Sequence, residues 1–211
     1  AMTERAIESR AHLARRRLLE GQERLRVKER ERLLQRLQLQ ANGRVFDIGC
    51  SNGLLLRRLD QAGVAVALGC DADPNIPPAP NILPLSAQDL RGVESGRFTK
   101  AVMSHILEHL ARPDRTQALR EAARILCAGG ELHVNMFLYS EGTVNSPAVQ
   151  SVSDHNEIIS QDELIAELAE AGFVAQPQDI EEMNRLSDIV TPDISARSLL
   201  VKAIKTPLSL Q

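Results

Sequence analysis

Aromatic side chains are nearly missing from this 211-residue chain: four Phe, one Tyr and no Trp. Proteins that grip single-stranded nucleic acid stack its bases on aromatic rings, so the scarcity counts against that class. Cysteine is scarce too. The three present, an odd count without Cys-x-x-Cys spacing, argue against a disulfide framework and against a zinc knuckle. No apolar run approaches the roughly 20 residues that span a bilayer, and the opening AMTERAIESR lacks the apolar core of a secretion signal. Ala1 ahead of Met2 reads as a cloning remnant. These absences lead to the expectation of a reduced, cytoplasmic compartment without a membrane span.

What is there has globular balance, with 43% hydrophobic and 25% charged residues. The length fits one domain, or one domain plus a helical extension. The net charge of −3 conceals an asymmetry: residues 1–40 carry 11 Lys and Arg against 6 Asp and Glu, so the remainder is strongly acidic. We expect residues 1–40 to form a basic helical arm and residues 41–211 the domain proper. The arm's apolar positions, among them Leu18, Leu25, Leu33, Leu34 and Leu37, recur at helical spacing, with a break expected near Gly21. Its charges read as a solvated face laced with i,i+4 pairs, Glu29 and Glu31 included.

Beyond the arm, short apolar runs alternate with helical patterns. VFDI (45–48), VAVALGCD (64–71), NILPL, TKAVMS (99–104), ELHVNMF (131–137) and ARSLLVKAIK (196–205) read as strands. GLLLRRLDQAG (53–63), DRTQALREAARIL (114–126) and SQDELIAELAEAGF (160–173) read as helices, the last with Ser160 and Glu163 in capping-box positions. The alternation predicts a layered α/β fold with a mainly parallel sheet. In such sheets a ligand sits beyond the carboxyl ends of the strands.

The loop in VFDIGCSNG allows three readings. Gly49, Ser51 and Gly53 spell the Gly-x-Ser-x-Gly elbow of a serine hydrolase, but no oxyanion loop precedes it. A plain strand-to-helix turn is the second. In the third, Gly49 and Gly53 admit a nucleoside close to the backbone, and Asp71, at the tip of the second strand, accepts from its ribose hydroxyls. Ser51 stands where a dinucleotide loop has its second glycine, which disfavours a pyrophosphate and a nicotinamide cofactor. Adenosine joined to something other than phosphate fits better.

With VFDIGCSNG, GCDAD, SAQDL, SHILEHL, LREAARILCAGGELHV and DHNEIISQDELIAELAEAGF in this order, the chain resembles the class I S-adenosylmethionine-dependent methyltransferases, in their small-molecule, ubiquinone-methyltransferase-like branch. The resemblance implies a Rossmann-like, doubly wound sheet, S-adenosylmethionine as cofactor, and methyl transfer to an oxygen of a small-molecule acceptor, with a nitrogen or carbon as the lesser alternatives. It implies that Asp47 orients the glycine loop and the methionine amino group, and that Gly49, Cys50, Ser51 and Gly53 line the methionine moiety. Asp71 would hold the ribose, Ala72, Ala87 and Gln88 would border the adenine, and Ser104 would offer its carbonyl to the methionine ammonium. Ser86 replaces a frequent aspartate, and LCAGG the commoner LKPGG. Methylation of RNA, or binding of S-adenosylmethionine without turnover as a partner protein, are the alternatives. The arm would cover the acceptor, read its phosphates, or mediate a homodimer.

His105, Glu108 and His109 share one helix face if HILEH is helical. The string also reads as His-x-x-Glu-His, a zinc-protease motif, but Pro113 leaves the helix too short for it. A divalent metal, as in relatives with an acidic Glu-x-x-Glu-His, is not expected because His105 replaces the first glutamate. His105 and His155 are the candidate proton acceptors, the first just past the fourth strand and the second in the loop over the substrate side. His109 is expected to wall the cofactor. Asn135 and Tyr139 are candidates for the acceptor pocket.

Overall fold

The computed structural model describes residues 4–139, 159–183 and 196–207. Among these, eight strands form one sheet: β1 (Arg44–Ile48), β2 (Val66–Cys70), β3 (Ile82–Leu83), β4 (Phe98–Ser104), β5 (Leu126–Tyr139), β6 (Phe173–Val174), β7 (Ile180–Glu182) and β8 (Ala196–Lys205). The order is β3-β2-β1-β4-β5-β8-β6, with β7 also paired to β8. β1 to β5 run parallel, and β8 enters antiparallel between β5 and β6. The helices are α1 (Glu4–Leu37), α2 (Leu54–Gln61), α3 (Arg112–Ile125) and α4 (Gln161–Glu170). The strand order reverses between β1 and β4, the switch point where α/β sheets bind ligands.

Strand periodicity sorts side chains into two layers. Phe46, Ile48, Ala101, Met103, Leu132, Val134 and Met136 face the main core with Leu119, Ile125, Leu164 and Leu168 of α3 and α4. The alternate positions Val45 and Val102 face a smaller core with Leu33 and Leu37 of α1 and Leu55, Leu56 and Leu59 of α2. The same alternation assigns Asp47, Ser104, His133 and Asn135 to the α1 side. That layer changes from apolar to polar toward the strands' carboxyl ends.

Two local expectations needed revision. α1 is one continuous helix through Gly21, with no break there. A glycine inside a helix costs about 1 kcal/mol relative to alanine, and Gly21 is buried on the same ridge as Leu25, Glu29, Leu33 and Leu37. HILEH is not an α-helix. His105 takes φ +55° immediately after β4, and only Leu107–His109 form a single 3-10 turn before Pro113 opens α3. The α4 capping box forms as read, with the Ser160 hydroxyl accepting from Glu163 N and the Glu163 carboxylate from Ser160 N, both at 3.1 Å.

Charged contacts fasten α1 to the body. Arg32 donates to both Glu181 oxygens at 2.8 and 2.9 Å, Arg36 reaches Glu181 at 3.2 Å, and Arg58 pairs with Glu31. Lys100 Nζ donates to the Leu37 carbonyl, satisfying a carbonyl that the helix end leaves open.

Candidate active site

A cleft of about 630 Å³ opens where β1 and β4 end beneath α1. Its floor is the loop after β1, with Asp47, Gly49, Cys50, Ser51 and Asn52, and its far end is Ser104, His105, Ile106 and Asn135. One face of α1 forms the opposite wall with Leu19, Glu23, Arg26, Val27, Arg30 and Leu33.

The loop is shaped by left-handed backbone at three positions: Gly49 (φ +74°), Ser51 (φ +51°) and Gly53 (φ +84°). At Gly49 glycine is required twice over, because a Cβ there would stand 2.1 Å from Ile106 Cδ1. Ser51 adopts a glycine-like conformation that its side chain disfavours by about 1 kcal/mol, and its amide is pinned by donating to Asp71 Oδ2 at 2.9 Å. Asp71 Oδ1 accepts from the Asp73 amide, also at 2.9 Å. Each Asp71 oxygen keeps a second lone pair for a hydroxyl donor. Gly69 lets β2 close on the loop, since a Cβ there would meet Asp47 O at 2.8 Å and Cys50 Cβ at 2.9 Å.

Asp47 lies under the loop and is 4% exposed. Burial, then the neighbouring Asp71 charge, push its carboxyl up to about 7, with Arg30 acting in the opposite direction. The Cys50 and Cys70 thiols are pushed up to about 12, chiefly by burial. Both are held as thiols, and neither is set up as a nucleophile.

His105 occupies the far end between two carboxylates. Nδ1 lies 2.8 Å from Glu108 Oε1, and Nε2 lies 2.9 Å from Glu29 Oε2. Both carboxylates are 1% exposed. Burial works to lower the His105 pKa, but the hydrogen bonds and charges of Glu108 and Glu29 outweigh it and carry it to about 9. The ring rests on Phe137, with centroids 4.5 Å apart. The Asn135 amide nitrogen Nδ2 is 3.4 Å from Nε2, while Asn135 Oδ1 accepts from Ser198 Oγ, also at 3.4 Å. Among the described residues no three His, Cys, Asp or Glu side chains are grouped to hold one metal ion.

Of the residues singled out in the sequence, Asp47, Gly49, Cys50, Ser51, Ser104, His105 and Asn135 line this cleft together. Gly53 and Asp71 adjoin it through the loop. Ala87 packs against the main core. Gln88 borders a separate polar hollow of about 520 Å³ with Arg91, Glu121 and Arg124. Ala72 and His109 are exposed, and neither lines the cleft. His155 lies outside the described residues, as does the side chain of Tyr139. The residue sequence reasoning missed is Glu29, taken as a solvated charge. Its signal was its position: it falls on the ridge of Leu25, Leu33 and Leu37, spaced by four.

A family model described as a methyltransferase domain matches residues 14–178. The chain belongs to that family. The match begins inside α1, so the helix that walls the cleft is partly within it. The ubiquinone biosynthesis O-methyltransferase of Xanthomonas oryzae pv. oryzae is 32% identical over 106 residues, which cover 45% of this chain and 43% of that protein. The chain therefore matches less than half the length of this curated relative. A geranyl diphosphate methyltransferase solved with S-adenosylmethionine superposes with a TM-score of 0.70 at 14% identity, over 91% of this chain and 90% of that one. A methyltransferase in complex with the Haloferax volcanii Trm112 methyltransferase activator gives 0.68 at 18% identity, over 86% and 90%. At such identities the likeness is one of fold, a class I methyltransferase fold preceded by helix.

Proposed function

We propose that this methyltransferase-domain protein transfers a methyl group from S-adenosylmethionine to a hydroxyl oxygen of a small acceptor. The observation that carries the cofactor assignment is the left-handed loop from Gly49 to Gly53, pinned to Asp71 at one end of the cleft. The residues fit the group. Gly49 leaves open the space a Cβ would fill, Asp71 keeps lone pairs for ribose hydroxyls, and Asp47 and Arg30 offer opposite charges to the amino and carboxyl ends of methionine.

When bound, the cofactor would supply an activated methyl carbon: the O–CH3 bond would form as the S–CH3 bond breaks, leaving S-adenosylhomocysteine and releasing the hydroxyl proton. The chain's part is to position both partners, which alone can supply several kcal/mol of the barrier, about 7–11 in favourable cases. Gly49, Cys50 and Ser51 present backbone to the methionine moiety, and the Ser104 carbonyl accepts from its ammonium. The apolar side chains Leu19, Val27 and Leu54 at the cleft favour a compact, partly apolar acceptor over RNA, whose phosphates want an unbroken basic surface. His155 is retained as a candidate proton acceptor, and Asn135 as an acceptor-pocket residue. Residues 1–40 act as an arm on the domain formed by 41–211, with homodimerisation through it a further role open to sedimentation analysis.

One observation favours a second reading, binding without turnover as a partner protein. Both nitrogens of His105 are taken, so in this arrangement the ring has no lone pair for an acceptor proton.

The test is calorimetric titration with S-adenosylhomocysteine, beside NADH, on wild type and Asp71→Ala. We expect binding that the substitution weakens at least tenfold, and no response to NADH. Folded, ligand-free wild type that takes up no S-adenosylhomocysteine would remove the cofactor assignment. Radiolabelled methyl transfer to a panel of phenols, matched anilines and bulk RNA then separates the acceptor classes, and turnover with none of them would support the partner reading.

A further inference from the structure

His105 is held in a way that its own turn after β4 does not account for. A neutral imidazole has one N–H and one lone pair. Here each ring nitrogen faces a buried carboxylate at 2.8 or 2.9 Å. A lone pair aimed at a carboxylate oxygen at that distance would be repulsive, so the contact geometry calls for a proton on both nitrogens. One carboxylate, Glu108, is local. The other, Glu29, arrives from α1, 76 positions away in sequence, on the helix that walls the cleft.

We propose that Glu29 is a positioning residue for the reaction end of the cleft: its hydrogen bond to His105 Nε2 seats α1 over the cleft and keeps the imidazole ring doubly protonated and fixed. The inference rests on the methyl-transfer reading for its purpose, though not for its test. A lone imidazolium facing a sulfonium cofactor would repel it. Flanked by Glu29 and Glu108 the cluster carries a net single negative charge, which suits a cationic ligand. The remaining oxygens, Glu29 Oε1 and Glu108 Oε2, are buried and accept no hydrogen bond from a described residue. Burying carboxylates in this incomplete state is costly, and the imidazolium between them offsets part of that cost.

The groups around the ring come from every packed element. α1 contributes Glu29 and, along the cleft wall, Glu23, Arg26 and Arg30; the turn after β4 contributes Glu108; β1 contributes Asp47. β5 contributes the uncharged Asn135 and Phe137, and β8 reaches the site through Ser198. Among the described residues, Glu29 is thus the carboxylate that reaches the ring from the arm.

The experiment uses two variants of the full chain and two readouts that need no acceptor. Glu29→Gln keeps an oxygen for the Nε2 proton but removes the charge; Glu29→Ala removes both. The His105 ring is followed by nitrogen-detected NMR across pH 5 to 10, assigned with His105→Asn, and the seat of α1 by limited proteolysis at Arg24 and Arg26. Expected for Glu29→Gln is a titration midpoint more than one pH unit below wild type with α1 still protected. Glu29→Ala is expected to lower the midpoint and expose α1 to cleavage at least tenfold faster. A merely structural Glu29 would alter cleavage and leave the titration of a still-folded Glu29→Gln protein in place, which would overturn the proposal. So would a wild-type ring that is neutral at pH 7. S-adenosylhomocysteine titration of the same samples keeps the two readings apart, since its absence would remove the cofactor assignment while the His105 shift still stands or falls alone.

Discussion

Asp47 shows how one buried side chain ties the fold to ligand binding. Its carboxyl is pushed up to about 7 by burial and by Asp71. From the ordinary carboxylate range up to that value the folded protein holds a proton the unfolded chain has lost, so stability from this group falls as pH rises through the window. A ligand ammonium favours the ionised form. S-adenosylhomocysteine affinity is therefore expected to rise several-fold from pH 6 to pH 8, and Asp47→Asn to flatten the rise. Calorimetry at four pH values checks this, and affinity unchanged with pH in wild type would refute it. Gly49 makes a steric case at the same scale. Gly49→Ala forces a Cβ against Ile106 and a left-handed φ, a conformation costing about 1–2 kcal/mol. Loss of S-adenosylhomocysteine binding by at least tenfold is expected, with Ile106→Ala restoring it in part because the backbone strain remains.

At the scale of elements, the junction of α1 with the sheet carries the second set of predictions. Lys100 joins the last turn of α1 to Glu131 of β5 at 3.0 Å, and Glu131 accepts from His133 Nε2 at 3.2 Å. Burial tends to raise the Glu131 carboxyl, but His133 and Lys100 hold it down at about 2. A depressed carboxylate contributes stability above its unfolded pKa, lost as pH falls through the folded value. That window here runs from about pH 4.5 to pH 2. Lys100→Met is expected to cost about 1–3 kcal/mol at pH 7, the cost of stranding a partly buried hydrogen-bonding group. The deficit should shrink below pH 3, as urea denaturation at both pH values will show. The elements themselves were largely legible in the sequence. β8 begins and ends as read, and the α4 capping box forms as read, because both are written in local chemistry: a short, largely apolar run and a Ser–Glu pair. HILEH misled because helical spacing was taken for helix, whereas the chain must first turn out of β4 through a left-handed His105.

Across the whole molecule, long-range partners decide what local pattern cannot. Arg115 of α3 and Glu167 of α4 form a buried two-pronged ion pair, with N–O distances of 3.0 and 2.9 Å. Nothing in either helix announced the other, and each residue alone reads as surface charge. Removing one partner strands a buried charge, so Arg115→Met is expected to destabilise by about 3–5 kcal/mol. The double replacement Arg115→Met with Glu167→Leu should recover most of that, and thermal denaturation of the three proteins gives the comparison. Glu29 eluded sequence reading for the same reason. Its partner lies 76 positions away, and only the interruption of a leucine ridge by one carboxylate marked it.

That ridge has a rotational consequence. Gly21, Leu25, Glu29, Leu33 and Leu37 step by four along a helix with about 3.6 residues per turn, so the buried line winds about 40° at each step. The helix is therefore phased, like a key whose cuts must meet pins at set angles. One residue inserted between Glu29 and Leu33 would swing everything upstream by about 100° relative to the sheet. Leu33 and Leu37 would stay seated while the carboxylate turned away from the imidazole. The chain is then expected to tolerate length changes between α1 and β1 but none between Glu29 and Leu37.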